Sequence, residues 1–447
     1  MNGVEVVMVM KANVLVIGGG VGGLTVALKL AKCGIGVTVV EQVKGSTHMY
    51  KGELVQPKTL QIFEKNGILK SVLDQGHIIN KIELIEKNKL DKKPSLPMQS
   101  MSYNILPEPY NFALMIPHET LKKILLEEAE KYPSFKYIQP GRFIGFEGKK
   151  AKVRIEKEEV LLEADYYISA EGRKSKIRET MGVPKKEKKY DHHFLTVTFP
   201  RPETLTEGKI ISTDDTFLGL FPLPDNLVRT VYLIPKGTYK EMIEEGLESF
   251  YKKYLELYPE LDGYVQQIDS WKKIQLMIPV HYHVSNYVKD NVALLGDAAH
   301  SVHPMAGEGM NLAIQDGDVL GELLCWMYDN DQHSTEKLSY YENVRKPRVR
   351  HVLKLSHLSA LAYSRPLKSL VSWRSKVMEQ LTNDPVLHTK HMLNISGLGI
   401  WKESLVDRVI QTGVAPKRKE RENHLIDRRH LFTEEEDYPW REKKEEA

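Results

Sequence analysis

The chain has 447 residues, which is too many for one simple core and predicts two or three domains. Its 63 basic and 60 acidic side chains nearly cancel, so the composition does not indicate a bulk nucleic-acid binder. Two cysteines, Cys33 and Cys325, are too few for a secreted disulfide scaffold and favour a reducing cytoplasm. The first ten residues lack a signal-peptide pattern, and no uncharged apolar run reaches the roughly 18 residues of a membrane span.

The N-terminal elements come first in chain order. Residues 14–17 form a β-branched run that predicts a strand, residues 24–32 have helical spacing, and residues 37–40 predict a second strand. A strand, a turn, a helix and a strand in this order predict a parallel pair with a right-handed crossover.

The later elements are predicted from periodicity and turn residues. They are helices at 59–66 and 119–131, a loop or an excursion into another domain at 91–109, strands near 136–146, 151–156 and 159–168, an antiparallel sheet at 190–235, helical residues at 239–258, a strand at 291–295, a helix at 311–328 and mostly helical residues at 338–415. After Pro416 the chain is rich in Lys, Arg and Glu, and we expect a mobile or loosely docked tail.

The first motif is a glycine-rich turn between the first strand and the first helix. Gly18, Gly20 and Gly23 have the Gly-x-Gly-x-x-Gly spacing that brings backbone N–H groups close to a pyrophosphate. Glu41 ends the next strand, where an acid accepts hydrogen bonds from a ribose diol and repels a 2′-phosphate. The turn therefore predicts FAD or NAD rather than NADP. The predicted contacts are Gly18, Gly20, Val21, Gly22, Gly23 and Glu41.

The second motif lies within residues 292–315. It reads as a strand, then Gly-Asp-Ala-Ala-His, then Pro, then Gly-x-Gly-Met-Asn at the start of a helix. This pattern resembles the single-component (group A) FAD-dependent monooxygenases, the p-hydroxybenzoate hydroxylase-like family, over about residues 12–350. The matching residues are Gly296, Asp297, Ala298, Ala299, His300, Pro304, Gly307, Gly309, Met310 and Asn311.

The residue types of the second motif suit a flavin. Asp297 can accept a hydrogen bond from a ribityl hydroxyl, and Pro304 stiffens the loop beside the ring. The helix start at Gly307, Gly309 and Asn311 offers N–H groups that stabilise negative charge at N1 and O2 of the ring. No metal site is predicted, because the neighbouring histidines lack partners at ligand spacing.

Three weaker matches to the family each have two interpretations. Residues 168–178 resemble the family's Asp-Gly motif with Glu171 in place of aspartate, although a turn that caps a helix is the alternative. His118 stands where the family often has arginine, so it either contacts the flavin or caps a helix. Residues 52–57 are similar to a run in squalene epoxidases, and Lys51 before them lies near the ring or is simply exposed.

The resemblance, which extends locally to ubiquinone-biosynthesis hydroxylases, implies an α/β fold. It comprises a Rossmann-like FAD-binding domain with an inserted antiparallel-sheet substrate domain and C-terminal helices. The predicted ranges are 11–75, 105–182 and 288–350 for the FAD-binding domain, 76–104 and 183–287 for the substrate domain, 351–415 for the helical region and 416–447 for the charged tail.

The resemblance also implies the reaction: NADH or NADPH reduces FAD, and O₂ supplies an oxygen atom that hydroxylates or epoxidises an aromatic, quinone-like or lipophilic substrate. Pro304 and Lys51 are the candidate catalytic residues. A flavin-dependent reductase of the same fold and a non-catalytic flavin-binding protein are the alternatives. A halogenase is disfavoured because the Trp-x-Trp-x-Ile-Pro motif is absent.

The expected partners are a small-molecule substrate, NAD(P)H and O₂, with no nucleic acid. A cytoplasmic protein is expected, with peripheral membrane contact through residues 351–363 and 367–381 as a further possibility. The substrate, the choice between NADH and NADPH, and the oligomeric state are left open.

Overall fold

The structure is a computed structural model that describes residues 9–43, 52–87, 98–364, 368–418 and 428–441. Lys51, one of the two candidate catalytic residues, lies outside these ranges. The strands are β1 (Val9–Ile17), β2 (Val37–Val40), β3 (Leu54–Val55), β4 (His77–Ile79), β5 (Lys81–Glu86), β6 (Gln99–Ser102), β7 (Ala113–Met115), β8 (Phe135–Ile138), β9 (Gly141–Glu147), β10 (Lys150–Ile155), β11 (Glu158–Ser169), β12 (Lys188–Lys189), β13 (His192–Pro200), β14 (Gly208–Ser212), β15 (Phe217–Leu223), β16 (Leu227–Pro235), β17 (Gln275–Met277), β18 (Val280–His283), β19 (Val288–Lys289), β20 (Val292–Leu294) and β21 (His300–Ser301).

The α-helices follow the same chain order. They are α1 (Val21–Lys32), α2 (Pro57–Lys65), α3 (Leu69–Asp74), α4 (His118–Ala129), α5 (Lys176–Thr180), α6 (Tyr239–Glu245), α7 (Leu247–Leu257), α8 (Gly309–Asp329), α9 (Ser339–Ser364), α10 (Lys368–Asn383), α11 (Pro385–Ser396), α12 (Leu405–Gln411) and α13 (Glu434–Asp437).

The first layer is a mainly parallel sheet with the order β19-β20-β11-β1-β2-β8, and β9 and β10 extend it from β11. β1 runs parallel to β2 and β11, as the strand-helix-strand pattern predicts. The apolar runs 14–17 and 37–40 are buried throughout, because helices cover both faces of such a sheet.

The second layer is a seven-stranded, mostly antiparallel sheet with the order β17-β13-β16-β15-β14-β5-β6. Its strands come from two separate stretches of the chain, since β5 and β6 precede β7, which pairs with β3 and β4 in a small sheet, and the others follow β11. The expected α/β fold with an inserted antiparallel sheet is therefore confirmed, and the domain boundaries given above remain predictions. Within residues 91–109, Gln99–Ser102 forms β6 and pairs with β5 of the second sheet, which agrees with the excursion and not with the loop.

The C-terminal tail differs from expectation within residues 428–441. Tyr438 is 2% exposed and Trp440 is 5% exposed, and both pack into the hydrophobic core formed by the first layer and its helices. The Asp437 carboxylate lies 2.5 Å from Lys58 Nζ and also pairs with Arg348. This part of the tail is therefore docked on the protein. Burial of the two aromatic rings and the ion pairs of Asp437 stabilise the docked state, although the segment as a whole is rich in charged residues.

The two cysteines also differ from expectation. Cys33 at the end of α1 and Cys325 in α8 form a disulfide with a Cα–Cα distance of 6.1 Å across 292 residues of sequence. The two cysteines meet because α1 and α8 pack side by side. The cysteine argument for a reducing cytoplasm therefore fails. In the described residues, no helix is long and apolar enough to cross a membrane.

Candidate functional site

The glycine turn joins β1 to α1 with the tight geometry that its spacing predicts. Gly18 has φ +110°, and a Cβ on it would lie 2.3 Å from the Ala170 oxygen. A Cβ on Gly23 would lie 2.1 Å from the Gly18 oxygen, so both positions exclude side chains. A Cβ on Gly20 would meet nothing within 4 Å, which leaves open space beside the backbone for a phosphate.

The start of α1 supplies donors toward that space. The first helical hydrogen bond runs from Leu24 N–H to Gly20 O at 2.9 Å. The N–H groups of Val21, Gly22 and Gly23 precede it and are the groups that a helix start offers to an anion.

The far side of the turn is closed by Glu41. Its carboxylate accepts hydrogen bonds from Gly19 N–H and Val43 N–H, both at 2.7 Å. The Tyr137 hydroxyl lies beside this pair, since a Cβ on Gly19 would approach it to 2.6 Å, and it is buried without a partner among the described residues. Burial raises the pKa of Tyr137, so the hydroxyl stays protonated. A buried orphan hydroxyl next to an acid suits a ribose diol.

Sequence reasoning missed Tyr137. It lies on β8, which pairs with β2 but belongs to a stretch without any dinucleotide motif. Only the pairing of the two strands brings it to the turn.

The second motif packs directly onto the first. A Cβ on Gly22 would lie 2.8 Å from the Ala313 oxygen, and a Cβ on Gly296 would lie 2.9 Å from the Ala313 side chain. A Cβ on Gly317 would come within 2.5 Å of the Gly22 oxygen. Glycines thus bring α1, α8 and the loop after β20 into backbone contact.

Asp316 of α8 holds the loop after β20 in place. It is fully buried and accepts hydrogen bonds from Gly296 N–H at 2.9 Å, His300 Nε2 at 2.7 Å and Arg345 Nε at 2.7 Å. Burial alone would raise the pKa of this carboxyl, but His300 and Arg345 lower it below its ordinary value. His300 is therefore a structural partner of Asp316, and Arg345 provides the buttress from α9.

Asp297 lies in the same loop and is half-buried. Burial raises the pKa of its carboxyl, with His300 acting in the opposite direction. The backbone oxygen of Asp297 accepts a hydrogen bond from the Tyr282 hydroxyl, and the next carbonyl, of Ala298, accepts one from Arg178 at 2.9 Å. Asp297 stays a predicted ribityl contact, on a loop fixed from both sides.

The loop beside the predicted ring position begins with a short turn at Pro304–Ala306 and continues through Gly307, which has φ +64°. α8 begins at Gly309, and its first helical hydrogen bond runs from Leu312 N–H to Glu308 O at 2.9 Å. The N–H groups of Gly309, Met310 and Asn311 come before that bond, so they are not used by the hydrogen bonds of the helix. They are the groups that we expect to stabilise negative charge at N1 and O2 of the flavin ring.

The Asn311 side chain has another task. Its oxygen accepts hydrogen bonds from Gln56 N–H at 2.9 Å and the Thr59 hydroxyl at 2.8 Å, and its amide donates to Leu54 O at 2.9 Å. It therefore clamps the segment 52–57 against α8. The backbone N–H of Asn311 is the group left to face a flavin.

Glu171 lies beside the glycine turn, but its carboxylate is used locally. It accepts hydrogen bonds from the hydroxyls of Ser169 at 3.0 Å and Ser175 at 2.9 Å, and from Ile177 N–H at 3.0 Å. These are the contacts of a turn that caps a helix, the alternative interpretation of this motif. His118 is buried at the first position of α4.

Sequence reasoning also missed a buried polar cluster next to the loop 304–307, which we call the flavin loop. Glu308, between the two glycines, is 2% exposed, and burial raises the pKa of its carboxyl well above its ordinary value. Gln56 has a smaller, lowering effect on this pKa, and its side-chain oxygen accepts a hydrogen bond from the Tyr103 hydroxyl at 3.1 Å. A glutamate inside a glycine motif looks exposed in sequence, and only the fold shows its burial.

An ion pair links this loop region to the second sheet. Glu53 accepts two hydrogen bonds from Arg229 of β16, at 2.8 Å and 2.7 Å. Arg229 lies on the face of the second sheet that carries Phe194 and Thr198, and it is the cationic side chain of that face within the described residues. Its charge is balanced by Glu53.

The comparisons with known proteins agree with this geometry. Residues 11–356 match the model of the family described as "FAD binding domain". The chain belongs to this FAD-binding family. It is an FAD-dependent oxidoreductase of the monooxygenase class, in which NAD(P)H is the typical co-substrate.

Three individual proteins are similar to this chain. The chain is 28% identical over 321 residues to 6-methylpretetramide 4-monooxygenase of Streptomyces rimosus, which covers 70% of this chain and 75% of that protein. It is 22% identical to pentachlorophenol 4-monooxygenase of Sphingobium chlorophenolicum, with 88% and 72% coverage. The crystal structure of p-nitrophenol 4-monooxygenase PnpA from Pseudomonas putida superposes with a TM-score of 0.77 at 17% identity, covering 87% of this chain and 98% of that one.

The residues present fit FAD at both ends of the family's cofactor. The open side of Gly20, the start of α1 and the Glu41–Tyr137 pair suit the pyrophosphate and the adenosine ribose. Asp297 and the start of α8 suit the ribityl chain and the ring. These individual contacts remain predictions.

Proposed function

We propose that this enzyme hydroxylates or epoxidises an aromatic or quinone-like compound that lies between the flavin loop and one face of the seven-stranded sheet. The observation that carries the proposal is the apolar cluster of Phe194, Phe217 and Leu233, against which Met305 of the flavin loop packs. Three strands contribute to the cluster, and Phe194 pairs in register with Leu233. Rings and branched chains of this kind bind planar apolar molecules.

The opposite face of the same sheet has a different task. Leu195, Val197 and Leu220 pack against Phe250 and Tyr254 of α7 and complete a separate core. Strand alternation therefore divides the sheet into a structural face and a face turned toward the flavin loop.

The chain's own groups set the conditions for the reaction. The apolar cluster excludes water from the space next to Pro304, and the N–H groups at the start of α8 oppose negative charge on the ring. Bound FAD would accept a hydride from NAD(P)H and activate O₂ for transfer of one oxygen atom.

The test is a panel of aromatic, quinone and aliphatic compounds given to the purified holoenzyme with NADH or NADPH. We expect an aromatic or quinone compound to accelerate NAD(P)H oxidation and to gain one atom of ¹⁸O from ¹⁸O₂, measured by product mass. Reduction of a compound without oxygen gain would support the reductase alternative. Purified protein without flavin absorbance would contradict both.

We further propose that the protein contacts a membrane surface through α12 and Val414, which follows it. Leu405, Val406 and Val409 are 82%, 61% and 43% exposed on α12, and Val414 after it is 81% exposed. The exposed bases Arg408 and Lys417 are suited to anionic lipids.

Flotation with anionic phosphatidylglycerol vesicles tests the membrane proposal. We expect the wild type to float and V406D to stay in solution. Leu358→Asp changes an exposed residue of the stretch 351–363, so loss of flotation in L358D alone would move the contact to α9.

A further inference from the structure

Three buried polar atoms on one face of β13 lack a hydrogen-bond partner in the part of the chain that the structure describes. His192, Phe194, Thr196 and Thr198 alternate along this regular strand and share the face that carries the apolar cluster. His192 Nδ1, Thr196 Oγ1 and Thr198 Oγ1 are buried without hydrogen-bond partners among the described residues. Buried polar atoms are nearly always hydrogen-bonded, so a row of three points to a ligand with polar atoms along one edge.

The hydrogen bonds of a neighbouring histidine identify Nδ1 of His192 as a donor. Met305 N–H donates to His303 Nδ1 at 3.2 Å, so in a neutral His303 the ring proton is on Nε2. His303 Nε2 lies 2.8 Å from His192 Nε2 and donates to it. His192 Nε2 is then the acceptor, and the single proton of a neutral His192 is on Nδ1.

Both rings are neutral because the protein encloses them. His303 is fully buried and His192 is 2% exposed. Burial lowers the pKa of His303 to about 2 and that of His192 to about 4. His192 lowers the pKa of His303 further, and His193 does the same for His192. The flavin loop thus sets the tautomer of a residue on the substrate sheet.

The charge of this face narrows the ligand further. Its donors are one neutral N–H and two hydroxyls, and its cation within the described residues, Arg229, is paired with Glu53 at 2.7 Å. Burying a carboxylate without a cation to balance its charge costs far more free energy than burying a hydroxyl or carbonyl oxygen that accepts one hydrogen bond. The site therefore suits an uncharged oxygen substituent.

We infer that His192 is a specificity-determining residue whose Nδ1–H donates a hydrogen bond to a hydroxyl or carbonyl oxygen of the aromatic substrate. The oxygenated edge of the substrate lies along β13, where the Thr196 and Thr198 hydroxyls can contact further oxygens. This inference rests on the proposed function and deepens it, because it names the substituent that the enzyme recognises.

The test measures binding to the oxidised holoenzyme, followed by perturbation of the flavin absorbance spectrum, so turnover is not needed. The probes are naphthol, methylnaphthalene and naphthoate, substituted at the same ring position. We expect the wild type to bind naphthol at least about 10-fold more tightly than the other two, which corresponds to one buried hydrogen bond.

His192→Phe removes the donor and keeps a ring. We expect H192F to lose the preference for naphthol while the dissociation constant for methylnaphthalene stays unchanged. H192N, which keeps an N–H near the position of Nδ1, is expected to retain part of the preference and serves if H192F does not fold. His193→Phe is the matched control, because residue 193 lies on the opposite face of β13, and it should keep the full preference.

Each outcome bears on one of the two proposals. Equal binding of naphthol and methylnaphthalene by the wild type would overturn this inference and leave an aromatic substrate standing. A naphthol preference that survives in H192F and H192N alike would also overturn it. Failure of the wild type to bind any of the three aromatic probes would instead count against the proposed function on which the inference rests.

Discussion

At the scale of single residues, the polar side chains of the sequence motifs mostly hold chain segments together. The side chains of Asn311 and Glu171 each make several hydrogen bonds within the protein. Glu41 also accepts two backbone donors, yet it lies next to the orphan hydroxyl of Tyr137. Among the side chains predicted to contact the cofactor, Glu41 therefore both fixes the backbone of the glycine turn and lies beside a buried hydroxyl, that of Tyr137, which lacks a hydrogen-bond partner in the described residues.

The first prediction concerns Glu41→Ala. We expect E41A to weaken FAD binding by about 10-fold to 100-fold, because Gly19 N–H and Val43 N–H lose their acceptor and the ribose loses an expected one. The measurement is titration of the apoprotein with FAD by flavin fluorescence. Glu158→Ala, at an exposed glutamate of β11, is the control and should bind FAD like the wild type. An unchanged dissociation constant for E41A would refute the assignment.

At the scale of elements, α8 organises the site. Its first turn faces the predicted ring position, Ala313 contacts Gly22 of the glycine turn, and Asp316 bonds the loop after β20. Further along, Asp318 accepts a hydrogen bond from Tyr438 of the tail at 2.7 Å. One helix thus brings both cofactor motifs and the C-terminal segment together, because its small and acidic residues face inward.

The second prediction concerns Asp316→Asn. We expect D316N to lower the free energy of unfolding at pH 7 by about 3 kcal/mol, since it leaves Arg345 and His300 without their buried anion. Urea denaturation measures the change. Asp331→Asn, at an exposed aspartate after α8, is the control and should lie within about 0.5 kcal/mol of the wild type.

The pH dependence of this difference follows from the pKa of Asp316. Because the folded-state pKa lies below the ordinary value of 3.8, the carboxylate contributes stability that is present above that value. This stability is lost as the pH falls through the folded-state pKa. The gap between D316N and the wild type should therefore shrink below pH 3.8, and a gap that stays constant there would contradict the assignment.

At the scale of the whole molecule, contacts between distant parts of the sequence hold the FAD-binding domain closed. The disulfide joins α1 to α8 across 292 residues, and the docked tail adds the Lys58–Asp437 pair nearby. The disulfide joins the two helices that carry the cofactor motifs, and the ion pair ties the tail to α2. Closing so long a loop restricts the unfolded chain and thereby stabilises the fold.

The third prediction concerns this disulfide. We expect reduction, or the C33S/C325S variant, to lower the free energy of unfolding by about 2 to 4 kcal/mol. Urea denaturation with and without dithiothreitol measures the effect. Cys33→Ser alone is the control, because it already lacks the bond and should not respond to the reductant. Two free thiols by mass spectrometry of the untreated protein would show that the bond is absent.

The sequence alone was sufficient for the parts of the protein that depend on local pattern. Runs of apolar residues ended by glycines predict β1, α1 and β2, because a tight turn and a buried strand need particular residues at neighbouring positions. The motif at 296–311 likewise predicts FAD and the monooxygenase class, which the family match confirms. The cofactor's chemistry demands a contiguous loop and helix start, and contiguity is visible in sequence.

Only the tertiary structure decided which distant residues meet. The Cys33–Cys325 bond, Tyr137 beside Glu41 and the docked Tyr438 all depend on packing between segments that no local pattern connects. The burial of His192 likewise comes from the rings of Tyr190, Phe194 and His303 that pack around it, and its tautomer is set by the hydrogen bond to His303. Hydrogen bonding and burial are set by neighbours in space, whereas a sequence records neighbours along the chain.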